Sequence, residues 1–173
     1  MASPCALCAR KGATCCTGTQ ILLTSGDVKR ITAALLRNDF YMFQKADEGY
    51  LDPGDDPLWT HITIRPDGSR RVLLRDDRKH CSLLGPSGCS LPMNTRPLVC
   101  RIYPVAFTTD WIDGIDPSCP IAHTARASDW LSEIGMSKDD ARKWHRILMD
   151  ELFAEFGDPE PRKNGVPAPT VGS

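Results

Sequence analysis

The sequence predicts an α+β fold, specifically an irregular, metal-organised cysteine-cluster domain with a β-hairpin and several helices. Three observations lead to this prediction. Eight cysteines fall into two groups, one near the N-terminus and one in the middle of the chain. Apolar residues that alternate with polar ones on both sides of a turn predict the hairpin, and apolar residues at intervals of three and four predict the helices.

The first helix is predicted within residues 21–46. Val28, Ile31 and Leu35 recur there at helical spacing and give the segment one apolar face. A second helical stretch, from Phe40 to Ala46, is predicted to continue this helix after a kink.

The β-hairpin is predicted between residues 61 and 77. Ile62 and Ile64 alternate with polar neighbours, the sequence PDGS supplies a turn, and an apolar stretch from Val72 to Leu74 returns. The returning strand leads directly to Cys81.

Shorter elements are predicted in the rest of the chain. Residues 81–120 contain repeated prolines, which argue against long regular elements, and one short strand is expected from Val105 to Thr109. A short helix is predicted at residues 128–134. A longer helix follows, which Ser137 caps and Gly157 ends.

We predict three parts of the chain. Residues 1–126 form the cysteine-cluster metal-binding domain, and residues 127–157 form C-terminal helices that pack on it. Residues 158–173 are rich in proline and glycine and are predicted to be a flexible tail.

The length and net charge of the chain argue against several classes of function. With 173 residues, of which 41% are hydrophobic, the chain is long enough to bury an ordinary core. A net charge of −1 without a basic stripe argues against nucleic acid as a partner. No apolar run approaches the roughly 20 residues of a membrane helix, and no secretory signal is visible. We therefore expect a cytoplasmic protein with no membrane or nucleic-acid partner; the sequence leaves any protein partner unknown.

The N-terminal cysteines follow the pattern C-x2-C-x6-C-C and are Cys5, Cys8, Cys15 and Cys16. Two residues between the first pair let a loop fold back so that both sulfurs face one ion. The adjacent pair fits a single Zn²⁺ poorly, because successive side chains of an extended segment point in opposite directions. It fits better if the two sulfurs reach different metals or two irons of one cluster, or if only one of them is a ligand.

The second group is more dispersed and consists of Cys81, Cys89, Cys100 and Cys119. A glycine- and proline-rich loop separates the first two. Cys119 is followed by proline, as at the end of ferredoxin ligand runs, but the bacterial ferredoxin run itself is absent. We predict that the cysteines of both groups bind metal as thiolates.

Disulfides and buried apolar thiols are the alternative explanations of the cysteines. Disulfides are rare in the reducing compartment expected here. Cysteines that merely pack as small hydrophobic residues are expected singly within apolar runs, whereas these are grouped.

Arg96 and Arg101 bracket Cys100 and are predicted to lie beside the bound metal. Guanidinium groups aimed at sulfur would offset the negative charge of the thiolates and tune a redox potential. The alternative is that both are solvated surface charges.

The segment from Cys81 to Pro104 resembles the YkgJ-type cysteine cluster family, described as a zinc- or iron-chelating domain, and is similar to part of flagellin lysine N-methylase. The family pattern is an N-terminal CxxC…CC cluster, a C…C…RPxxCRxYP segment and a last cysteine. The residues that match it are Cys5, Cys8, Cys15, Cys16, Cys81, Cys89, Arg96, Pro97, Cys100, Arg101, Tyr103, Pro104 and Cys119. The resemblance covers residues 5 to about 123 and implies metal binding without implying one reaction. No nucleotide or S-adenosylmethionine motif occurs, so the catalytic half of the methylase is missing.

Other side chains are weaker candidates. His80 and His123 lie near cysteines and are possible replacement ligands, although surface or packing roles are favoured. Asp52, Asp55 and Asp56 form an acidic loop. This loop lacks the ligand periodicity of a calcium-binding EF-hand, and we expect it to be solvated.

We expect a metal-binding protein in which both cysteine groups hold metal jointly, so that metal binding is coupled to folding. The adjacent cysteine pair and the number of thiols favour an iron–sulfur cluster, [4Fe–4S] in type, over zinc. The alternatives are a structural zinc module for protein–protein interaction, a cluster-dependent redox or group-transfer enzyme with a pocket beside the cysteines, and a metal-delivery or storage protein. Catalytic residues stay unknown at this level.

Overall fold

The computed structural model describes residues 16–52, 54–119 and 130–157, and it confirms the α+β fold class. Helices and three small antiparallel sheets alternate along the chain. The elements are α1 (Ser25–Leu35), β1 (Tyr41–Lys45), a 3₁₀ turn (Glu48–Tyr50), α2 (Pro57–Thr63), β2 (Ser69–Leu73), β3 (Leu84–Gly85), β4 (Gly88–Cys89), α3 (Leu98–Ile102), β5 (Val105–Phe107), β6 (Ile112–Ile115), α4 (Trp130–Glu133) and α5 (Lys138–Phe156).

The predicted hairpin between residues 61 and 77 is wrong in its first strand. Ile62 lies in helix α2, where it is fully buried, and β2 pairs with β1 instead. The helix begins there because the Asp56 side chain accepts a hydrogen bond from the Trp59 N–H, and Pro57 occupies the first turn. The alternation of Ile62 and Ile64 is therefore not a strand signal in this context.

The predicted helix across residues 21–46 is correct only in its first half. Helix α1 ends at Leu35, and Leu36 adopts the left-handed conformation with φ of 54°. Residues 41–45 form strand β1 rather than a second helical stretch, and Tyr41 lies opposite Leu73 in the antiparallel pairing with β2. The aromatic side chains of this segment suit a strand, and the partner strand decides its conformation.

The short elements of residues 81–119 agree with the expectation from their prolines. Strands β3 and β4, of two residues each, form a small antiparallel hairpin. The predicted short strand is present as β5, from Val105 to Phe107. The Tyr103–Pro104 peptide bond before β5 is cis.

The C-terminal helices are also confirmed. Helix α4 is short, and α5 runs from Lys138 to Phe156 with Ser137 as its N-cap and Gly157 as its C-cap. Helix α5 packs on α2 and α3 and buries Leu148 and Leu152 completely or nearly so. The predicted tail, residues 158–173, lies outside the described residues. No helix in the described ranges is long and apolar enough to cross a bilayer.

Two buried clusters form the core. The first lies under α5 and contains Leu22, Ile62, Leu98, Ile102, Val105, Met136, Ala141, Leu148, Met149 and Leu152. The second includes one residue of β2, Leu73, and contains Ile21, Leu23, Ile31, Phe40, Leu73, Cys81, Leu83 and Leu91. Val99 on α3 packs against both clusters, so that α3 lies where they meet.

A polar network, here called the α1–α5 clasp, joins Thr24, Asp27, Arg30 and Glu151. Thr24 and Asp27 form a capping box at the start of α1. The Arg30 guanidinium donates to Glu151 at 2.5 Å and to Asp27 at 2.7 Å, and the Thr24 hydroxyl donates to Glu151. Asp27 also accepts a hydrogen bond of 3.1 Å from the Leu98 N–H. The clasp therefore fixes the N-terminus of α3 relative to α1 and α5.

Candidate metal centre

Four cysteines from separate parts of the chain pack around the second core cluster. They are Cys16, Cys81, Cys89 and Cys100, and they are called the cysteine group below. Cys89 lies in β4 and Cys100 in α3. Cys81 forms an isolated β-bridge with Arg75, and Cys16 lies in a turn directly before the bridge residue Thr17. The fold thus brings one member of the N-terminal group together with three of the four cysteines of the second group.

Backbone hydrogen bonds hold the first two members side by side. The Cys81 N–H donates to the Cys16 carbonyl at 2.7 Å, and Thr17 pairs with His80 in an antiparallel bridge. The Gly18 N–H adds a hydrogen bond of 3.1 Å to the Lys79 carbonyl. These hydrogen bonds hold residues 16–18 against the segment that directly precedes Cys81.

The other two members are placed by short elements. Cys89 lies opposite Leu84 in the β3–β4 hairpin, which returns the chain towards Cys81. The Cys100 N–H bonds to the Pro97 carbonyl at 2.9 Å in the first turn of α3. Since Asp27 of the clasp holds the neighbouring Leu98 N–H, the position of Cys100 depends on α1 as well as on α3.

The cysteines of the group interact electrostatically. Burial, together with the proximity of Cys16 and Cys89, raises the pKa of Cys81 to about 11. Burial likewise raises the pKa of Cys100 well above its ordinary value, with Cys16, Cys81 and Cys89 as additional causes. Thiols in this environment stay protonated at neutral pH unless a cation compensates the charge of the thiolates, and a bound metal ion provides such compensation.

The group fits a soft metal by donor chemistry more than by geometry. Cysteine sulfur is the donor that zinc and iron–sulfur clusters take. As the side chains stand, however, residues 16–52, 54–119 and 130–157 contain no set of three or more His, Cys, Asp or Glu side chains arranged as a metal site. Metal binding by the group therefore requires its side chains to turn inward or further ligands to join.

The remaining predicted ligands fall in two classes. Cys5, Cys8 and Cys15 lie outside the described residues. Cys119 is 3% exposed, its N–H donates to the Asp116 carbonyl at 3.0 Å, and it belongs to neither core cluster.

Arg96 and Arg101 are anchored to backbone carbonyls. Arg96 Nε donates to the Leu91 carbonyl at 3.0 Å, and Arg101 Nε donates to the Arg96 carbonyl at 2.7 Å. Burial lowers the pKa of Arg101, while the nearby Cys100 acts in the opposite direction. Arg101 is only 6% exposed, so it is not a solvated surface charge, and its positive charge lies within electrostatic reach of Cys100.

The other candidates have structural contacts. The His80 N–H donates to Asp76 at 2.9 Å, and His123 lies outside the described residues. In the acidic loop, Asp52 accepts from the Gly54 N–H at 3.0 Å. Asp56 caps α2 and accepts from the Thr109 N–H at 2.7 Å, so this carboxylate is structural rather than simply solvated.

A cavity of about 500 Å³ lies beside the cysteine group. Cys100 contributes to its wall, and so does the segment from Thr17 to Leu22 that follows Cys16. Its volume is in the range typical of small-molecule sites. The remaining wall includes four aromatic side chains and one arginine, namely Tyr50, Trp59, Tyr103, Phe107 and Arg70.

Sequence reasoning missed Arg70 and this cavity. The available signal is the alternation of Ser69 to Leu73 once they are assigned to a strand, since successive side chains then point to opposite faces. The doublet Arg70–Arg71 must therefore place one arginine inward, and Arg70 is 2% exposed.

In comparisons with known proteins, no protein-family model, curated protein or solved structure matches this chain. The resemblance to the YkgJ-type family is therefore carried by the motif residues alone and stays a prediction.

Proposed function

We propose that this protein binds metal through clustered cysteine thiolates, as an iron–sulfur cluster in preference to zinc. The observation that supports the proposal best is the convergence of Cys16, Cys81, Cys89 and Cys100 from four separate segments on one core cluster. Cys16 is also the last cysteine of the C-x2-C-x6-C-C pattern, and its other members, Cys5, Cys8 and Cys15, are proposed as ligands on the sequence pattern alone.

The proposed ligands come first from the cysteine group and then from Cys5, Cys8 and Cys15, with Cys119 as a further predicted ligand. An iron–sulfur cluster supplies one-electron transfer when bound, whereas zinc supplies a redox-inert crosslink. The second core cluster shields Cys81 from water, and Arg101 places positive charge within electrostatic reach of Cys100. Both features favour thiolates that are bound to metal over thiolates that are solvated.

Metal analysis of the anaerobically purified protein tests this proposal. We expect iron and acid-labile sulfide with visible absorption in the wild type, and Cys89→Ser should lose at least half of the iron because one ligand is removed. Cys89 is only partly buried in a short hairpin, so its serine variant should fold. Ser87→Ala, an exposed change in the same hairpin, is the matched control and should keep full metal content.

Two outcomes would contradict the proposal in different ways. The first is a colourless protein that contains stoichiometric zinc and cannot be reconstituted with iron and sulfide. This result would contradict the iron–sulfur cluster and would support the structural zinc module instead. Full metal content in Cys89→Ser and in Cys100→Ser would remove the cysteine group as the site. Cys119→Ser tests the last predicted ligand, and unchanged metal content there would restrict the site to the other cysteines.

A second candidate function is supported by the cavity. An enzyme that uses a cluster needs space for a substrate beside it, and the wall of this cavity includes Cys100. Redox or group-transfer activity is therefore the alternative that we keep, and it requires a ligand in the cavity.

A further inference from the structure

Arg70 is a buried guanidinium with incomplete hydrogen bonding. The residue is 2% exposed, and its Nε and Nη1 atoms are buried without a hydrogen-bond partner in the described part of the chain. Its guanidinium carbon lies 4.1 Å from the centre of the Tyr50 ring, on which it stacks. The arginine is therefore held in place by an aromatic face rather than by a carboxylate.

This arrangement is costly for the protein alone. A buried charge with incomplete hydrogen bonding destabilises a fold in general. Burial also lowers the pKa of Arg70, although the nearby Tyr50 and Asp47 offset part of this effect. By contrast, the charge of the adjacent Arg71 is compensated, because its guanidinium forms an ion pair with Glu155 at 2.6 Å. Arginine keeps its charge in proteins, so Arg70 brings a positive charge to the cavity wall.

The other walls of the cavity suit a flat apolar group. Trp59 and Phe107 pack edge to face, with ring centres 5.4 Å apart. Asp116 adds one carboxylate to the lining, and its Oδ1 accepts from the Ser118 N–H at 2.8 Å and from the Ser118 hydroxyl at 2.6 Å. The cavity thus combines one buried cation with aromatic walls and one acidic residue that is already hydrogen-bonded.

We propose that this cavity binds a small organic carboxylate with a flat apolar body, anchored by the guanidinium of Arg70. The carboxylate pairs with the Arg70 guanidinium, whose Nε and Nη1 atoms have no hydrogen-bond partner in the described part of the chain. The flat body packs against the aromatic wall that Trp59 and Phe107 form together. A phosphate is disfavoured, because one guanidinium does not balance a dianion beside Asp116. The bound molecule lies next to Cys100, which also suits a substrate of the proposed metal site. Binding of the carboxylate depends on Arg70 and the cavity, so it can be tested independently of metal binding.

Calorimetric titration of the full chain tests the proposal, with phenylacetate and 3-phenylpropionate as probes and phenylacetamide as the uncharged match. We expect at least one carboxylate to saturate the wild type and phenylacetamide to bind about tenfold more weakly or worse, since a charge-assisted hydrogen bond is lost. Arg70→Gln should weaken carboxylate binding by a similar factor. Arg78→Gln removes an exposed arginine and should leave the affinity unchanged.

A second variant covers the case in which Arg70→Gln does not fold. Thr19 is exposed and lines the cavity, so Thr19→Trp should obstruct the site without disturbing the core and should weaken carboxylate binding. The proposal is overturned if neither carboxylate saturates the wild type, or if phenylacetamide binds as tightly as phenylacetate. It is also overturned if folded Arg70→Gln or Thr19→Trp binds like the wild type. Repeating the titration on metal-depleted protein separates this result from the outcome of the metal analysis.

Discussion

Gly26, in the first turn of α1, lies directly against a side chain of helix α5. A Cβ atom at this position would collide with the carboxylate of Glu151 on α5. That carboxylate is the end of a flexible side chain, but Arg30 and Thr24 hold it in the α1–α5 clasp. Glycine is therefore required here for close approach of a neighbouring side chain rather than for an unusual φ angle.

We expect Gly26→Ala to lower the free energy of unfolding by about 1–2 kcal/mol, because the Glu151 carboxylate must leave its hydrogen bonds. In an unobstructed helix the same change usually stabilises a protein. Urea unfolding followed by circular dichroism measures the difference.

The control for this prediction is Gly49→Ala, whose Cβ would meet no atom within 4 Å, and which should change stability by no more than about 0.5 kcal/mol. In a Glu151→Ala background Gly26→Ala should become neutral or stabilising. A cost of the same size in both backgrounds would show that Glu151 is not the cause.

Single residues also show what the sequence makes predictable. The cysteines were identifiable as a group because their spacing is a chemical signal in itself, and four of them do converge. Arg70 was not identifiable, because its inward position depends on a strand pairing with β1 that is set by distant residues.

At the level of elements, the α1–α5 clasp makes the packing of two helices sensitive to pH. Burial alone would raise the pKa of Glu151, but hydrogen bonds from Arg30 and Thr24 outweigh burial, and the pKa is lower than its ordinary value of 4.5. A carboxyl group with a lowered pKa stabilises the fold above its pKa in the unfolded chain and loses this effect as the pH falls. Burial raises the pKa of Asp27 in the same network, which has the opposite effect.

We expect Glu151→Gln to lower the free energy of unfolding at neutral pH by about 1–3 kcal/mol, because Arg30 loses a charged hydrogen-bond partner. The difference between wild type and variant should shrink as the pH falls below about 4.5, the ordinary pKa that Glu151 has in the unfolded chain, and should be lost below its lower pKa in the fold. Denaturant unfolding of both proteins at a series of pH values measures this difference. Because Asp27 is present in both proteins, taking the difference largely removes its contribution.

Asp150→Asn is the matched control, because it removes an exposed carboxylate from the adjacent position of α5. Its stability should follow that of the wild type across the whole series. A Glu151→Gln deficit that stays constant into acid would contradict the role assigned to the carboxylate.

Elements were predictable where local signals and tertiary contacts agree. Helix α5 has an N-cap at Ser137, an apolar face and a glycine at its end, and each of these is readable from the sequence. The segment of residues 40–46 has no such caps, and its conformation as β1 depends on pairing with residues 69–73. Helix α2 was missed because its signal is the Asp56 cap and Pro57, which resemble loop residues in an acidic stretch.

For the whole molecule, the cysteine group joins chain segments from residue 16 to residue 100. A metal bound by these cysteines closes a long loop, and such a crosslink stabilises a fold mainly by restricting the unfolded chain. This consequence rests on the proposed function and applies to zinc and iron–sulfur clusters alike.

We expect removal of metal by a chelator to lower the unfolding temperature by on the order of 10 °C, which corresponds to a few kcal/mol for a chain of this size. Differential scanning calorimetry under anaerobic conditions measures the shift. Cys89→Ser protein should begin at the lower temperature and respond little to the chelator, whereas Ser87→Ala should behave like the wild type. An unfolding temperature of the wild type that is indifferent to chelation, with metal removal verified by analysis, would exclude a crosslinking role.

The extended segment before α1 also sets the order in which a growing chain completes its fold. Its hydrogen-bond partners come later in the chain. The Cys81 N–H donates to the Cys16 carbonyl, the Arg71 carbonyl accepts from the Leu23 N–H, and the Glu151 carboxylate accepts from the Thr24 hydroxyl across 127 positions of sequence. A ribosome releases the chain from its N-terminus, so this segment leaves the exit tunnel long before the residues that secure it. Under the proposed function, the N-terminal cysteines therefore leave the ribosome before the other proposed ligands have been translated.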